Sequence, residues 1–301
     1  MTLDFTHFMS EVRGNIDAAL SDWLEVDSSS PQARLQEAMR YSVLNGGKRV
    51  RPALCFAAAF AVQDSAALTN KGVIAAASSI ELVHAYSLVH DDLPAMDDDD
   101  LRRGKPTTHI AFDEATAVLA GDALQTKAFE VLANCPHLSS DAKIKCVQTL
   151  AQSAGEGGMC GGQMVDLEAV GKSPELDALE TMHQLKTGAL IRASVLMGAF
   201  SCDTQDESKL NALDLFAKAA GLAFQVKDDI LDTTADTKTL GKRQGADAER
   251  DKPTYVSHLG LDGAQGKLDD LHQQAIDALA PIGESSRLLV ELTNYIVHRP
   301  A

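Results

Sequence analysis

The sequence of 301 residues is poor in cysteine and in aromatic residues, and it contains no long apolar run. Its five cysteines include no CxxC pair, which argues against a disulfide framework or a zinc site and indicates reduced thiols. The longest apolar run, residues 53–62, is about half as long as a helix that crosses a bilayer. Residues 1–17 contain Asp4 and Glu11 and no basic segment followed by apolar residues. We therefore expect no signal peptide, no integral membrane segment and a cytoplasmic location.

Basic residues are also in the minority, with 27 Lys and Arg against 43 Asp and Glu and a formal net charge of −16. Such a charge repels polyanions, which argues against nonspecific binding to nucleic acid or anionic lipid. A phosphorylated substrate would bind only where something local reverses the sign of the charge.

The apolar residues recur at helical spacing, and no segment alternates between apolar and polar residues as a strand or hairpin would. The sequence therefore predicts an all-α protein. The predicted helices cover approximately residues 2–24, 31–45, 51–63, 70–91, 113–133, 140–154, 175–200, 207–232, 263–279 and 285–298.

Two Ser-Pro pairs, at residues 30–31 and 173–174, predict helix N-termini with serine as the N-cap and proline at the first helical position. No linker rich in Pro, Gly or Ser divides the chain. Although the length alone would suggest two domains, we expect a single helical domain over residues 1–301.

An acidic run occupies residues 90–100, after an apolar helical stretch that ends near Asp91 and Asp92. On a continuous helix Asp97 would lie about 240° around the axis from Asp91, but Pro94 is expected to end the helix and allow the loop to turn back. Converging carboxylates repel one another unless a hard divalent cation lies between them. The alternative interpretation is a solvated acidic helix end.

A second acidic cluster, Asp228, Asp229 and Asp232, follows Gln225 in an apolar helical segment. Gln225, Asp228 and Asp232 share one face of a helix because they are spaced i, i+3 and i+7. A buried stripe of carboxylates needs compensation, so metal ligation is favoured over a solvent-facing helix end. Two clusters of carboxylate oxygens indicate Mg²⁺ or Mn²⁺ rather than zinc.

Magnesium held by few carboxylates normally completes its coordination with water and substrate phosphates, and Arg and Lys are suited to bind the same phosphates. Each basic group of this chain would, by itself, fit a solvated surface charge. Together with the acidic clusters they predict a site for more than one phosphate-bearing molecule. The basic groups are Lys48, Arg49 and Arg51; Arg102, Arg103 and Lys105; Lys186; and Lys242, Arg243 and Lys252.

In these acidic and basic motifs the chain resembles the trans-isoprenyl diphosphate synthases. The first and second Asp-rich motifs of that family match Asp91-Asp92-(four residues)-Asp97 and Asp228-Asp229-Ile230-Leu231-Asp232. Other family signatures match Gly46-Gly47-Lys48-Arg49-(one residue)-Arg51-Pro52, Lys186-Thr187, Phe224-Gln225 and Gly241-Lys242-(two residues)-Gly245. The matches run from residue 46 to residue 254, and the Pro94-Ala95 insertion in the first motif resembles the bacterial farnesyl diphosphate synthase branch.

The resemblance implies a helical bundle around a deep apolar substrate cavity, the isoprenoid synthase fold, with the two Asp-rich motifs facing each other across its mouth. It also implies a homodimer and three Mg²⁺ ions when substrate is bound, with Mn²⁺ as a substitute. The implied Mg²⁺ ligands are Asp91, Asp92, Asp97, Asp228 and Asp232.

The resemblance likewise implies two diphosphate subsites and a catalytic set. Arg102, Lys186 and Lys242 would contact the allylic diphosphate, with Lys252 in the same substrate site. Lys48, Arg51, His84 and Arg103 would bind the diphosphate of isopentenyl diphosphate. The implied catalytic residues are Lys186, Thr187, Gln225 and Arg102, with Thr187 and Gln225 stabilising an allylic cation.

The implied reaction condenses isopentenyl diphosphate with dimethylallyl or geranyl diphosphate to farnesyl diphosphate by ionisation, condensation and loss of a proton. Tyr86, five residues before Asp91, resembles the aromatic residue that ends the pocket at fifteen carbons in this branch. A helical wheel instead places Ser87 one turn beneath Asp91, and Tyr86 is also compatible with a core or interface position.

Other functions share part of this pattern. A geranyl or geranylgeranyl diphosphate synthase would have the same fold and the same motifs. A terpene cyclase needs no isopentenyl diphosphate, so the set of Lys48, Arg51 and Arg103 argues against it. A catalytically silent subunit would typically have lost one Asp-rich motif, whereas both are intact in this chain.

Overall fold

A computed structural model describes residues 4–63, 67–234 and 252–299, and these segments fold almost entirely into helices. The all-α prediction is confirmed. The α-helices are α1 (Phe5–Trp23), α2 (Ala33–Val43), α3 (Val50–Val62), α4 (Lys71–Asp91), α5 (Thr108–Ala111), α6 (Glu114–Asn134), α7 (Ser140–Ala154), α8 (Met159–Ala169), α9 (Leu176–His183), α10 (Ala189–Phe200), α11 (Glu207–Thr234), α12 (Tyr255–Ala278) and α13 (Arg287–His298). Short 3₁₀ turns cover Ala67–Thr69 and Gly283–Ser286.

Helix α4 lies at the centre of the fold. It begins where the Asn70 side chain accepts a hydrogen bond from the Gly72 amide at 2.9 Å, an N-cap that satisfies an amide the helix itself leaves unpaired. In the described part of the chain α4 alone is long and apolar enough to cross a bilayer, but 78% of its most apolar stretch is buried inside the protein. Its apolar residues are therefore core residues, packed mainly against α3 and α6.

The two Ser-Pro pairs do not form the predicted N-caps. Helix α2 begins at Ala33 because the residues before it form a separate turn, in which the Ser30 amide donates to the Asp27 carbonyl at 3.0 Å. Helix α9 begins at Leu176 with Glu175 as its N-cap, two residues later than the Ser-Pro pattern predicts. Both prolines precede the helices rather than occupy their first positions.

A short β-hairpin and helices α5 and α8 were not predicted. Leu101–Arg102 (β1) and Lys105–Pro106 (β2) form an antiparallel hairpin whose turn residues, Arg103 and Gly104, both have positive φ. The prediction of no strand or hairpin is wrong here, because a strand of two residues is too short to show alternation. Helix α8 was also missed, because the sequence around it is rich in glycine, a poor helix former.

A π turn, Gln184–Gly188, joins α9 to α10 within the long helix predicted from residue 175 to residue 200. Such one-residue expansions are frequent at functional sites, and this one carries Lys186 and Thr187. Two glycines allow other helices to approach it closely. A Cβ on Gly162 of α8 would lie 2.2 Å from the Lys186 amide nitrogen, and one on Gly221 of α11 would lie 3.0 Å from the Gly188 Cα.

We predict that Gly162→Ala lowers the free energy of unfolding by about 1–3 kcal/mol, the usual cost of forcing extra volume into a packed contact. Gly14→Ala is the matched control, because Gly14 lies exposed in α1 with nothing within 4 Å of its potential Cβ. It should be neutral or stabilising by up to about 1 kcal/mol. Urea denaturation followed by circular dichroism measures both, and equal stabilities would show that α8 is free to move away from the π turn.

Candidate active site

A cavity of about 390 Å³ lies between α4, α8 and the π turn, and it collects many of the predicted site residues. A groove of about 940 Å³ behind the π turn is larger, but none of the predicted residues line it. The predicted residues in the lining of the smaller cavity are Arg51, His84, Tyr86, Ser87, Asp91, Lys186 and Thr187.

The first Asp-rich motif turns back on itself at the end of α4, as Pro94 predicted. The Asp97 amide donates to the Asp91 carbonyl at 2.9 Å, and the Asp99 amide donates to that of Asp92 at 3.2 Å. Burial raises the pKa of Asp91 to about 6; the charge of Lys186 opposes this shift and that of Asp97 adds to it. A crowded carboxylate of this kind is more stable in its charged form once a cation lies beside it.

Two other carboxylates of this motif face cations of the protein. Arg102 Nε donates to both oxygens of Asp92, at 2.8 and 2.9 Å, and this side chain of Asp92 is almost fully buried. Lys252 Nζ donates to Asp97 Oδ1 at 3.0 Å, although the two residues are 155 positions apart in the sequence. The acidic run therefore contacts basic residues that were predicted to bind diphosphate.

The second Asp-rich motif, on α11, has a different partner for each of its first two aspartates. Asp228 forms an ion pair with Arg299, whose guanidinium carbon lies 4.3 Å from the centre of the Phe224 ring. Asp229 is buried, and its Oδ2 accepts a hydrogen bond from the Tyr255 amide at 2.8 Å, which fixes the start of α12. Asp229 thus has a structural contact. The side chain of Asp228 is instead 43% exposed, so that a ligand can replace Arg299 as its partner.

Thr187 and Gln225, the predicted cation-stabilising pair, are in contact. Thr187 Oγ1 donates to Gln225 Oε1 at 3.0 Å, and Gln225 Nε2 donates to Asp229 Oδ1 at 2.9 Å. These bonds fix both side-chain oxygens relative to α11. They also connect the π turn to the second Asp-rich motif.

Asp166 is a site residue that the sequence did not reveal. It is buried on α8, and its Oδ2 accepts from Lys186 Nζ at 2.6 Å and lies 3.5 Å from Lys252 Nζ. Burial disfavours its charge, but the two lysines outweigh this effect and hold the pKa of Asp166 below its ordinary value. Its only sequence signal was an acidic residue in an apolar stretch that was not predicted to be helical.

The basic side of the site is built from the Gly46–Gly47 loop, α3, α4 and the β1–β2 turn. Arg103 donates to Asn45 Oδ1 at 2.9 Å and to the Gly46 carbonyl, and a Cβ on Gly47 would lie 2.9 Å from its guanidinium. Burial, and then the charges of Arg51 and Arg103, lower the pKa of His84 well below its ordinary value. His84 is therefore neutral beside these arginines, and burial also lowers the pKa of Lys48.

Arg51 and Arg49 have opposite roles in this loop. Within the described part of the chain Arg51 Nε is buried and has no hydrogen-bond partner, as expected of a donor aimed at an anion. Arg49 instead donates to Glu81 at 2.6 Å and to Asp17 at 2.9 Å, and it does not line the cavity. Arg49 therefore anchors the loop that presents Lys48 and Arg51.

The donor chemistry of the two Asp-rich motifs fits Mg²⁺, because the candidate ligands are carboxylate oxygens and the crowded Asp91 favours a neighbouring cation. Within residues 4–63, 67–234 and 252–299, no three His, Cys, Asp or Glu side chains converge closely enough to enclose a metal ion. Asp92, Asp97 and Asp228 are each paired with a basic residue instead. Lys242, also predicted to bind diphosphate, lies outside the described residues.

Comparisons with known proteins agree with the geometry. The model of the polyprenyl synthetase family matches residues 32–282. The farnesyl diphosphate synthase of Escherichia coli is 50% identical over 268 residues, which cover 87% of this chain and 88% of that protein. The farnesyl diphosphate synthase of Haemophilus influenzae is 47% identical over 292 residues, or 95% of this chain and 97% of its own. A solved geranyltransferase of Helicobacter pylori, complexed with magnesium and isoprenyl diphosphate, has 35% identity and a TM-score of 0.86 over 99% of this chain and 97% of that chain.

We predict that Asp166→Asn lowers the free energy of unfolding by about 3–5 kcal/mol, because it leaves two ammonium groups beside a buried position without their shared carboxylate. Asp214→Asn is the matched control, since Asp214 also pairs with two cations, Arg192 and Lys218, but at the surface. It should cost about 1 kcal/mol or less. Urea denaturation compares the two variants, and equal losses would contradict a special role for Asp166.

Proposed function

This chain belongs to the polyprenyl synthetase family, and we propose that it is a prenyltransferase that condenses isopentenyl diphosphate with dimethylallyl or geranyl diphosphate to farnesyl diphosphate. The observation that carries the proposal is the meeting of an acidic and a basic group of side chains at one apolar cavity. Such a site suits two diphosphates with apolar tails, one bound through metal ions and the other through protein cations.

The isopentenyl diphosphate subsite in this proposal consists of Lys48, Arg51, His84 and Arg103. The buried Nε of Arg51 supports it, because a diphosphate oxygen would supply the acceptor that this donor requires. A neutral His84 can donate one hydrogen bond to phosphate without adding to the repulsion among the arginines. A terpene cyclase has no use for this second subsite.

The allylic subsite in this proposal has Asp91, Asp92, Asp97, Asp228 and Asp232 as ligands of three Mg²⁺ ions. Bound Mg²⁺ neutralises the negative charge that develops on the departing diphosphate. Arg102, Lys186, Lys242 and Lys252 bind the same diphosphate by charge-assisted hydrogen bonds. Because Arg102 and Lys252 already lie against Asp92 and Asp97, they need only a small movement to reach a phosphate bound there.

The remaining steps depend on the cavity wall. Once the allylic C–O bond ionises, the oxygens of Thr187 and Gln225 stabilise the cation by their dipoles. The apolar wall excludes water, which would otherwise quench the cation before the double bond of isopentenyl diphosphate attacks. The proton lost after condensation passes to the released diphosphate, so that no side chain is required as the base.

Assembly and location are part of the same proposal. We propose one polyprenyl synthetase domain over residues 1–301, a homodimer and a cytoplasmic location. Exposed apolar side chains on α6 and α8 support the homodimer, because such a surface is usually covered in an assembled protein. They are Val118, Leu119, Met164 and Val165.

We predict that the purified protein condenses geranyl and isopentenyl diphosphates only with Mg²⁺ present, and that Asp91→Asn lowers kcat/KM at least about 100-fold. Asp98→Asn is the matched control. Asp98 is an exposed neighbour in the same acidic run, and asparagine tolerates its positive φ of 52°. Activity that survives metal chelation, or an equal loss in Asp98→Asn, would refute the proposal, and an inactive but folded protein would favour the silent-subunit alternative.

Product length is the finer part of the proposal, with Tyr86 and Ser87 as its determinants. We predict that Tyr86→Ala shifts the product from fifteen toward twenty carbons, because it removes a bulky aromatic side chain from the cavity wall. Reversed-phase chromatography of the products measures this shift, and Tyr295→Ala on α13 is the control. A Tyr86→Ala enzyme that still stops at fifteen carbons would remove Tyr86 from this role, and a wild-type product of ten or twenty carbons would identify the alternative synthases.

A further inference from the structure

The hydroxyl of Tyr86 has a partner on another helix. Tyr86 Oη lies 3.3 Å from Cys160 Sγ, and both side chains line the cavity. The thiol and the hydroxyl can each donate or accept in this pair. Cys160 is near the start of α8, so that the contact connects α8 to α4.

The two residues lie at the same depth below the mouth of the site. Tyr86 precedes Asp91 by five residues on α4, and Cys160 precedes Asp166 by six residues on α8. At about 1.5 Å per helical residue, each lies roughly 8–9 Å further along its helix than the carboxylate near the mouth. The Tyr86–Cys160 pair therefore lies deeper in the cavity than Asp91 and Asp166.

The phenol ring of Tyr86 is held from other directions as well. His90 packs edge-on against it, with 5.7 Å between the ring centres, and His90 Nε2 contacts the Val118 carbonyl on α6 at 3.0 Å. Gly121 makes this position of His90 possible, because a Cβ there would lie 2.1 Å from the imidazole. The orientation of Tyr86 thus depends on α6 and α8 in addition to its own helix.

We propose that Cys160 is a further residue that determines product length, because its bond to the Tyr86 hydroxyl holds the phenol ring across the base of the cavity. This inference rests on the proposed function. Cys160 itself is exposed, so the outer side of this wall is open in the single chain. When the bond is lost, the ring can turn aside and a longer product can extend past it.

Three substitutions separate the hydrogen bond from the bulk of the side chain. Cys160→Ala removes the bond, Cys160→Ser keeps a group that can form it, and Tyr86→Phe removes the other partner while keeping the ring. Cys202→Ala, at a partly buried thiol that does not line the cavity, is the matched control. The readout is the ratio of the next longer product to the main wild-type product, together with kcat and KM for the allylic substrate.

We expect Cys160→Ala and Tyr86→Phe each to raise this ratio about two- to ten-fold, the range that one net hydrogen bond accounts for. The double variant should not exceed Tyr86→Phe, since that variant already removes the bond to Cys160. Cys160→Ser should restore the wild-type ratio, and Cys202→Ala should not change it. An unchanged ratio in Cys160→Ala, or a Cys160→Ser enzyme that behaves like Cys160→Ala, would overturn the proposal.

The same measurements distinguish this inference from the proposed function. If the wild-type protein makes a main product other than fifteen carbons, the proposed product is wrong, while the shift in ratio still supports or refutes the role of Cys160. If a folded wild-type protein makes no condensation product, both are refuted.

Discussion

The repulsion among carboxylates that share a partly buried site is the constraint on which this structure depends. Three of them are offset by a cation: Asp92 by Arg102, ten residues further along the chain, and Asp97 and Asp228 by the distant residues Lys252 and Arg299. At Asp166 the arrangement is the opposite, because one carboxylate lies between two cations, Lys186 and Lys252. These ion pairs connect α4, α8, α11 and the segments before α12 and after α13 around one cavity. Since the same cations are suited to diphosphate, the groups that stabilise the protein without ligand are also those that would bind its substrate.

Most of the fold could be predicted from the sequence because its long helices have apolar residues at helical spacing or in continuous apolar stretches. The predicted segments at 70–91 and 140–154 match α4 and α7 to within a residue. Helix α8 was missed for a physical reason: its glycines lower helix propensity, yet Gly162 is required for the approach to the π turn. The signal of the β1–β2 hairpin is too short to recognise. In both cases close tertiary contacts decide the local structure, and such contacts leave little periodicity in the sequence.

The candidate site could be predicted where the spacing of residues in a motif indicates the ligand they bind. Both Asp-rich motifs and the basic residues around Arg51 were found this way, and the structure brings Arg51, Asp91 and Lys186 to one cavity. Spacing does not show which carboxylate of a run is buried and bonded within the protein, as Asp229 is to the Tyr255 amide. Nor does it show that Arg49 pairs with Glu81 and Asp17 while Arg51 lines the cavity. These assignments depend on which helices pack together.

The π turn between α9 and α10 has a consequence for how this part of the sequence varies. A turn with one extra residue rotates everything before it by about 100° relative to everything after it. The buried faces of residues 176–183 and 189–200 are therefore set independently, and one helical wheel cannot describe both. A single-residue deletion in the turn would leave a continuous helix and still turn Lys186 and Thr187 away from Gln225. The number of residues between 184 and 188 is thus as strict a requirement as their identity. Substitutions within the turn would not reveal this requirement, because they leave the number of residues unchanged.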